Sequence, residues 1–159
     1  MRRKAAHPAR EFFVMILTVC LSPCIDVTVE LDSLNVGKVN VVKSKSLTFT
    51  GKALNVAIGV SRLGARAYAT GFMYQENGAM FERVLARERV PFTFVWNEGH
   101  VRENYKFIDN KSMLTEINDV GHAVTAEKSG ELLKLVEDLS AQAEVTVISG
   151  GLPRGADPS

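Results

Sequence analysis

The chain has 159 residues, 46% of them hydrophobic and 23% charged, with a net charge of +1. That balance suits one globular domain with a sizeable core, and it gives no electrostatic reason to expect nucleic acid or an anionic membrane as partner. The two cysteines, Cys20 and Cys24, lack paired histidines at ligand spacing. They form neither a disulfide framework nor a zinc site and read as buried, reduced thiols of a cytoplasmic protein.

In chain order, MRRKAAHPAR (residues 1–10) carries four basic residues and no acid, and FFVMILTVCLSPC follows. On pattern alone this resembles a secretory signal, with LSPC faintly like a lipoprotein cleavage site. The rival reading is a disordered leader over residues 1–14 and a central strand beginning near Met15. The strand is preferred, because buried parallel strands read as continuous apolar runs and the rest of the fold needs one here. No stretch is long enough to span a bilayer.

IDVTVEL and VNVVKSKSLTF alternate, which predicts two exposed strands with one polar face. KALNVAIGVSRLG then takes helical spacing, with Leu54, Ala57, Val60 and Leu63 inward and Gly64 as the stop. ARAYATGFM reads as a buried strand. NGAMFERVLARERV reads as a helix with Met80, Phe81, Val84 and Leu85 inward. PFTFVWNE, ENYKFID and SMLTEIN read as three short alternating strands. A long helix starts after Thr125 as N-cap, with Leu132, Leu133, Val136 and Leu139 inward. EVTVISG is a buried-type strand ending in the glycine loop GGLPRG. Buried strands alternating with helices give a parallel α/β core, and the surplus strands, near 27–48 and 91–118, predict a small β lid.

Ligands collect at the carboxyl ends of parallel strands. LSPCID, TGKALNVA and SGGLPRG all fall there, and the lid adds VRENYK. The Gly51–Lys52 pair is not a nucleotide phosphate loop, since Ser46 stands where a glycine is needed and Ala53 where the magnesium hydroxyl belongs. What remains is a helix N-terminus suited to a phosphate or polarised hydroxyl, or an ordinary helix start with a solvated lysine. Asp26 either accepts hydrogen bonds from sugar hydroxyls or serves a turn; Arg102 either clamps a phosphate or is simply solvated. Glu116 and Asn118 either line the same cleft or follow strand alternation. His7, His100 and His122 have no ligand partners at spacing and read as surface residues.

MILTVCLSPCID, VNVV, GKALNVA…RLG, VRENYKF, LTEIN and SGGLPRG occur in that order. Together, over about residues 15–155, they resemble the N-terminal half of the phosphofructokinase B (ribokinase-like) sugar kinases, most like the 1-phosphofructokinase and tagatose-6-phosphate kinase members. The resemblance implies a ribokinase-like parallel sheet flanked by helices, with a β lid, truncated on its C-terminal side. It implies ATP and magnesium as cofactors of the complete enzyme, with neither expected to bind well to this chain. The substrate would be a sugar phosphate, with fructose 1-phosphate or tagatose 6-phosphate converted to the bisphosphate. Pairing of two copies through the lid as a homodimer is left open. By position Asp26 would hold sugar hydroxyls. Gly51, Lys52 and Asn55 would form the sugar-side wall, and Arg102 would grip the phosphate. Ser149 and Gly150 would lie beneath the reaction centre, and Glu116 and Asn118 at its margin.

The departures are specific. The family's G-G-K-G is Thr50-Gly51-Lys52-Ala53 here, with Thr50 a candidate N-cap in exchange; N-P-A-I-D is SPCID, and S-G-S-L-P is SGGLP. The later G-A-G-D motif, whose Asp acts as base, is absent; RGAD at 154–157 lacks the second glycine and opens no helix. The resulting expectation is a chain that is inactive in phosphoryl transfer. Its alternatives are a non-catalytic sugar-phosphate-binding or pairing module, and, from the N-terminal pattern alone, a secreted protein. The last strand would leave an open apolar edge that invites self-association.

Overall fold

A computed structural model describes residues 15–156. The expected leader and Asp157 of RGAD lie outside the described residues. The chain runs β1 (Met15–Cys20), β2 (Cys24–Leu31), β3 (Val42–Thr50), α1 (Lys52–Arg62), β4 (Arg66–Tyr74) and α2 (Ala79–Arg87). It continues through β5 (Phe92–Asn97), β6 (Arg102–Ile108), β7 (Leu114–Asn118), α3 (Ala126–Ser140) and β8 (Val145–Ile148). Two four-stranded sheets result, ordered β5-β4-β1-β8 and β3-β2-β6-β7. In the first, every pairing is parallel. The second is the lid, mixed in direction, with β2 and β6 parallel at its centre.

β1 is central because both its faces are covered: Leu17, Thr18, Val19 and Cys20 are all buried. β4 beside it carries Gly71 opposite Cys20. Gly71 has φ +138°, and a Cβ there would lie 1.9 Å from the Cys20 carbonyl oxygen, so only glycine fits.

PFTFVWNE is not a lid strand. β5 pairs with β4 in the parallel sheet, burying Phe94, Val95 and Asn97. Thr93 is exposed while Phe94, Val95 and Asn97 are buried, and Asn97 Nδ2 donates to the Met73 carbonyl at 3.2 Å. β2 keeps the one polar face expected of it, but its other face is core rather than exposed: Ile25, Val27, Val29 and Leu31 are each under 5% exposed. They join Leu54, Ala57, Phe81, Leu85 and Phe94 in one continuous core. Phe49 of β3 meets Phe81 of α2 edge-to-face at 5.4 Å, so the lid is packed onto the helices rather than hanging free. Burying a side chain such as Leu54 or Phe81 contributes roughly 1.5–3 kcal/mol.

The helical stripes hold except at Leu63, Met80 and Leu133. Gly64 ends the turn after α1 at φ +84°, and Leu63 is 88% exposed beside it. Met80 and Leu133 are also exposed, being one turn-edge away from the buried Phe81 and Leu132. Thr125 caps α3, accepting from the Lys128 amide at 3.2 Å. β8, buried-type in composition, is the open apolar edge expected of the last strand. It is the edge of the parallel sheet, with Val145 and Ile148 exposed. No helix among the described residues is long and apolar enough to cross a membrane.

Candidate functional site

The lid's two-residue period builds one wall of the site. Ile25, Val27 and Val29 on β2, and Tyr105 and Phe107 on β6, belong to the core face. The intervening residues therefore occupy the other face. Register then groups them: Cys24 lies opposite Arg102 and Asp26 opposite Asn104. On the far side of β6, Asn104 lies opposite Asn118 and Lys106 opposite Glu116. Asp26 is thus a strand residue, not the turn residue its position after Pro23 suggests.

The opposite wall comes from the parallel sheet. Gly51, Lys52 and Asn55 open α1, Ser22 lies on the β1–β2 crossing, and Gly150 and Gly151 follow β8. With the lid residues they line one open hollow of about 290 Å³. Asp26, Gly51, Lys52, Asn55, Arg102, Glu116, Asn118 and Gly150 are all brought together there. Ser149 is not: its amide continues the ladder to the Val19 carbonyl at 3.5 Å, and the chain reaches the hollow only at Gly150.

Gly51 is required by packing. A Cβ on it would stand 2.7 Å from Cys20 Sγ. It is itself the N-cap of α1, and no side chain caps that end. Thr50, expected as the cap, ends β3 and instead accepts from Asn55 Nδ2 at 2.9 Å. The first amides of α1 therefore remain donors at a positive helix end.

Charges on the lid wall are held in place. Arg102 donates from Nε to Ser22 Oγ at 3.2 Å and from Nη1 to Asn104 Oδ1 at 3.1 Å. Asp26 accepts from Asn104 Nδ2 at 3.4 Å and pairs with Lys106 Nζ at 2.8 Å. That carboxylate holds the Lys106 ammonium above the usual lysine range. Lys52, Arg102 and Lys106 face Asp26 and Glu116, three cations against two carboxylates, which leaves room for an anionic ligand. Burial pushes the Cys20 thiol up to about 12, and burial also raises Cys24 despite the nearby Arg102. Both thiols are free, and burial disfavours the thiolate form of each.

Sequence reasoning missed Ser22, Cys24, Asn104, Lys106 and Gly151 in this lining. The signal for two of them was present: in RENYK, alternate residues from Arg102 share a face. The histidines hold a second surprise. His7 lies outside the described residues, but His100 and His122, from the two connections joining β5 to β6 and β7 to α3, meet with ring nitrogens 3.0 Å apart. Glu76 and Asp119 lie 3.8 and 3.9 Å from the His100 ring. Among the described residues, no three His, Cys, Asp or Glu side chains converge so as to hold a metal ion.

Comparison with known proteins agrees with this architecture. The model of the pfkB family carbohydrate kinases matches residues 15–159, and the chain belongs to that family. It is 32% identical over 143 residues to a 1-phosphofructokinase of Vibrio cholerae, covering 90% of this chain and 45% of that protein. It is 33% identical over 141 residues to a tagatose-6-phosphate kinase of Staphylococcus epidermidis, covering 89% and 45%. The crystal structure of a possible 1-phosphofructokinase from Thermotoga maritima superposes with a TM-score of 0.77 at 30% identity, over 90% of this chain and 47% of that one. Phosphofructokinase-2 from Escherichia coli in complex with fructose-6-phosphate gives 0.80 at 24% identity, over 91% and 48%, a likeness of fold alone. The chain spans about half the length of these relatives.

Proposed function

We infer that this chain supplies the sugar-phosphate side of a kinase reaction, and that the 159-residue polypeptide binds a phosphorylated ketohexose without transferring phosphate by itself. The observation that carries this reading is the single hollow in which Asp26, Lys52 and Arg102 meet. A carboxylate with lone pairs to spare accepts from adjacent sugar hydroxyls. A guanidinium anchored through Nε and Nη1 keeps its other N–H groups for a phosphate, and the open N-terminus of α1 with Lys52 completes a cationic wall. The relatives are named for 1-phosphofructokinase and tagatose-6-phosphate kinase, which points to fructose 1-phosphate or tagatose 6-phosphate as ligand and to the bisphosphate as product. Asp26, Gly51, Lys52, Asn55, Arg102 and Gly150 are the proposed contacts, with Glu116 and Asn118 at the rim.

Phosphoryl transfer is almost wholly positioning and charge stabilisation. The sequence contains no G-A-G-D motif to supply the base and the helix end, so no transfer step is assigned to this chain's residues. ATP and magnesium belong to the reaction by resemblance. Pairing of two copies through the lid is supported by its two edge strands, where Val42, Leu47, Leu114 and Ile117 are exposed.

Calorimetric titration of the 159-residue chain with fructose 1-phosphate, tagatose 6-phosphate and free fructose tests the reading. Saturable binding of a phosphorylated sugar is expected, weakened roughly ten- to hundredfold by Arg102→Ala, the loss of one charge-assisted contact. Free fructose should not show that loss. Binding indifferent to Arg102, or ATP-dependent transfer by the chain alone, would contradict it.

A further inference from the structure

We propose that Asn104 is a positioning residue, whose side-chain amide ties the Arg102 guanidinium to the Asp26 carboxylate so that both meet the ligand as one prearranged unit. The ligand's identity rests on the sugar-phosphate reading above, whereas the linkage rests on geometry alone. Asn104 Oδ1 accepts from Arg102 Nη1 at 3.1 Å, and Asn104 Nδ2 donates to Asp26 Oδ1 at 3.4 Å. Chemistry fixes that orientation. A guanidinium can only donate and an ionised carboxylate can only accept, so the amide must turn its oxygen to one and its nitrogen to the other. An aspartate in this place would lose the donor, and an apolar residue would lose both ends.

The register makes the arrangement. Arg102 and Asn104 stand two apart on β6 and share a face, while Asp26 is directly across on β2. The line of contacts is closed at both ends, by Ser22 Oγ on Arg102 Nε and by Lys106 Nζ on Asp26 Oδ2. Each carboxylate oxygen then has one fixed partner and a lone pair left over. Arg102 is held on one edge and open on the other. Such fixing lowers the ordering cost when the ligand arrives. None of this is required for the lid to fold, because the Asn104 face lies opposite the buried one.

The test uses the full chain, labelled with nitrogen-15. In the wild type the Arg102 Nη1–H resonance, the one bonded to Asn104 Oδ1, is expected to be resolved at low temperature and slow to exchange with water. In Asn104→Leu its exchange should accelerate at least about tenfold, with fructose 1-phosphate affinity reduced at least about tenfold and the thermal midpoint little changed. Asn104→Asp keeps the acceptor for Arg102 but sets a second carboxylate against Asp26. There the Arg102 signal should stay protected while affinity still falls, and that variant serves where the leucine form does not fold. An Arg102 signal identical in wild type and Asn104→Leu overturns the linkage, and so does undiminished sugar-phosphate affinity in Asn104→Asp. Should the wild type bind no sugar phosphate at all, the functional reading fails while the exchange measurement still decides the linkage.

Discussion

Cys20 shows how one side chain fixes its neighbours. Its sulfur fills the space a Cβ on Gly51 would need, and its carbonyl lies where a Cβ on Gly71 would fall. Two glycines, at the start of α1 and in β4, are therefore dictated by a single position at the end of β1. Because burial holds that thiol at about 12, it carries no thiolate at ordinary pH. Iodoacetamide at pH 8 should leave Cys20 of the native chain unmodified and alkylate both cysteines in urea, as read by mass spectrometry. Rapid native modification of Cys20 would mean that β1 is not central. Among the site residues, Lys106 illustrates what composition hides. A lysine in an alternating strand is ordinarily solvated, but its register beside Glu116 and its reach to Asp26 make it part of the hollow's floor.

At the scale of elements, the crossings between the two sheets matter most. β1 leads into β2 through Ser22 and Pro23, β3 into α1 through Gly51, β5 into β6 through residues 98–101, and β7 into α3 through residues 119–125. Just before the first of them, Cys20 at the end of β1 lies against Gly71 of β4. Gly71→Ala should destabilise the chain by about 3 kcal/mol or more, combining backbone strain at φ +138° with the clash against Cys20. Urea unfolding measures it; a midpoint unchanged from wild type would refute the close approach. At the last crossing, Asp119 Oδ1 accepts the Gly121 amide at 3.1 Å, and that bond holds its carboxyl below the ordinary 3.8. A carboxyl lowered in the folded state stabilises above its unfolded value and ceases to do so as pH falls through the folded one. The stability deficit of Asp119→Ala should therefore be complete at pH 7 and disappear well below pH 3.8. A deficit that persists undiminished in acid would separate the effect from the carboxylate.

For the whole molecule, the fold was legible where burial follows a simple period. β1 and β4 announce themselves as apolar runs, α3 by its cap, and the lid by strands that cannot fit between parallel ones. The assignment of β5 to the lid failed because an edge strand of a parallel sheet and a lid strand alternate alike; only pairing with β4 separates them. The open apolar edge expected of the last strand is β8. Its valines and isoleucine suit a covered strand, and Ile148 borders an apolar groove with Leu133, Val136 and Leu152 that nothing among the described residues fills. The site was half legible. Asp26, Lys52 and Arg102 carry chemistry that stands out in a motif, whereas Asn104 and Lys106 acquire a role only through register with β2 and β7. The pair His100–His122 was invisible, because its members are 22 residues apart and meet only where two crossings run side by side.

Whether ligand sits in the hollow between lid and sheet is tested most directly by nitrogen-15 chemical-shift mapping with fructose 1-phosphate. The shifts should concentrate on Gly51, Asn55, Arg102, Asn104 and Gly150 and saturate together with one dissociation constant. Shifts confined to the groove between α3 and β8, or none at saturating ligand, would contradict it.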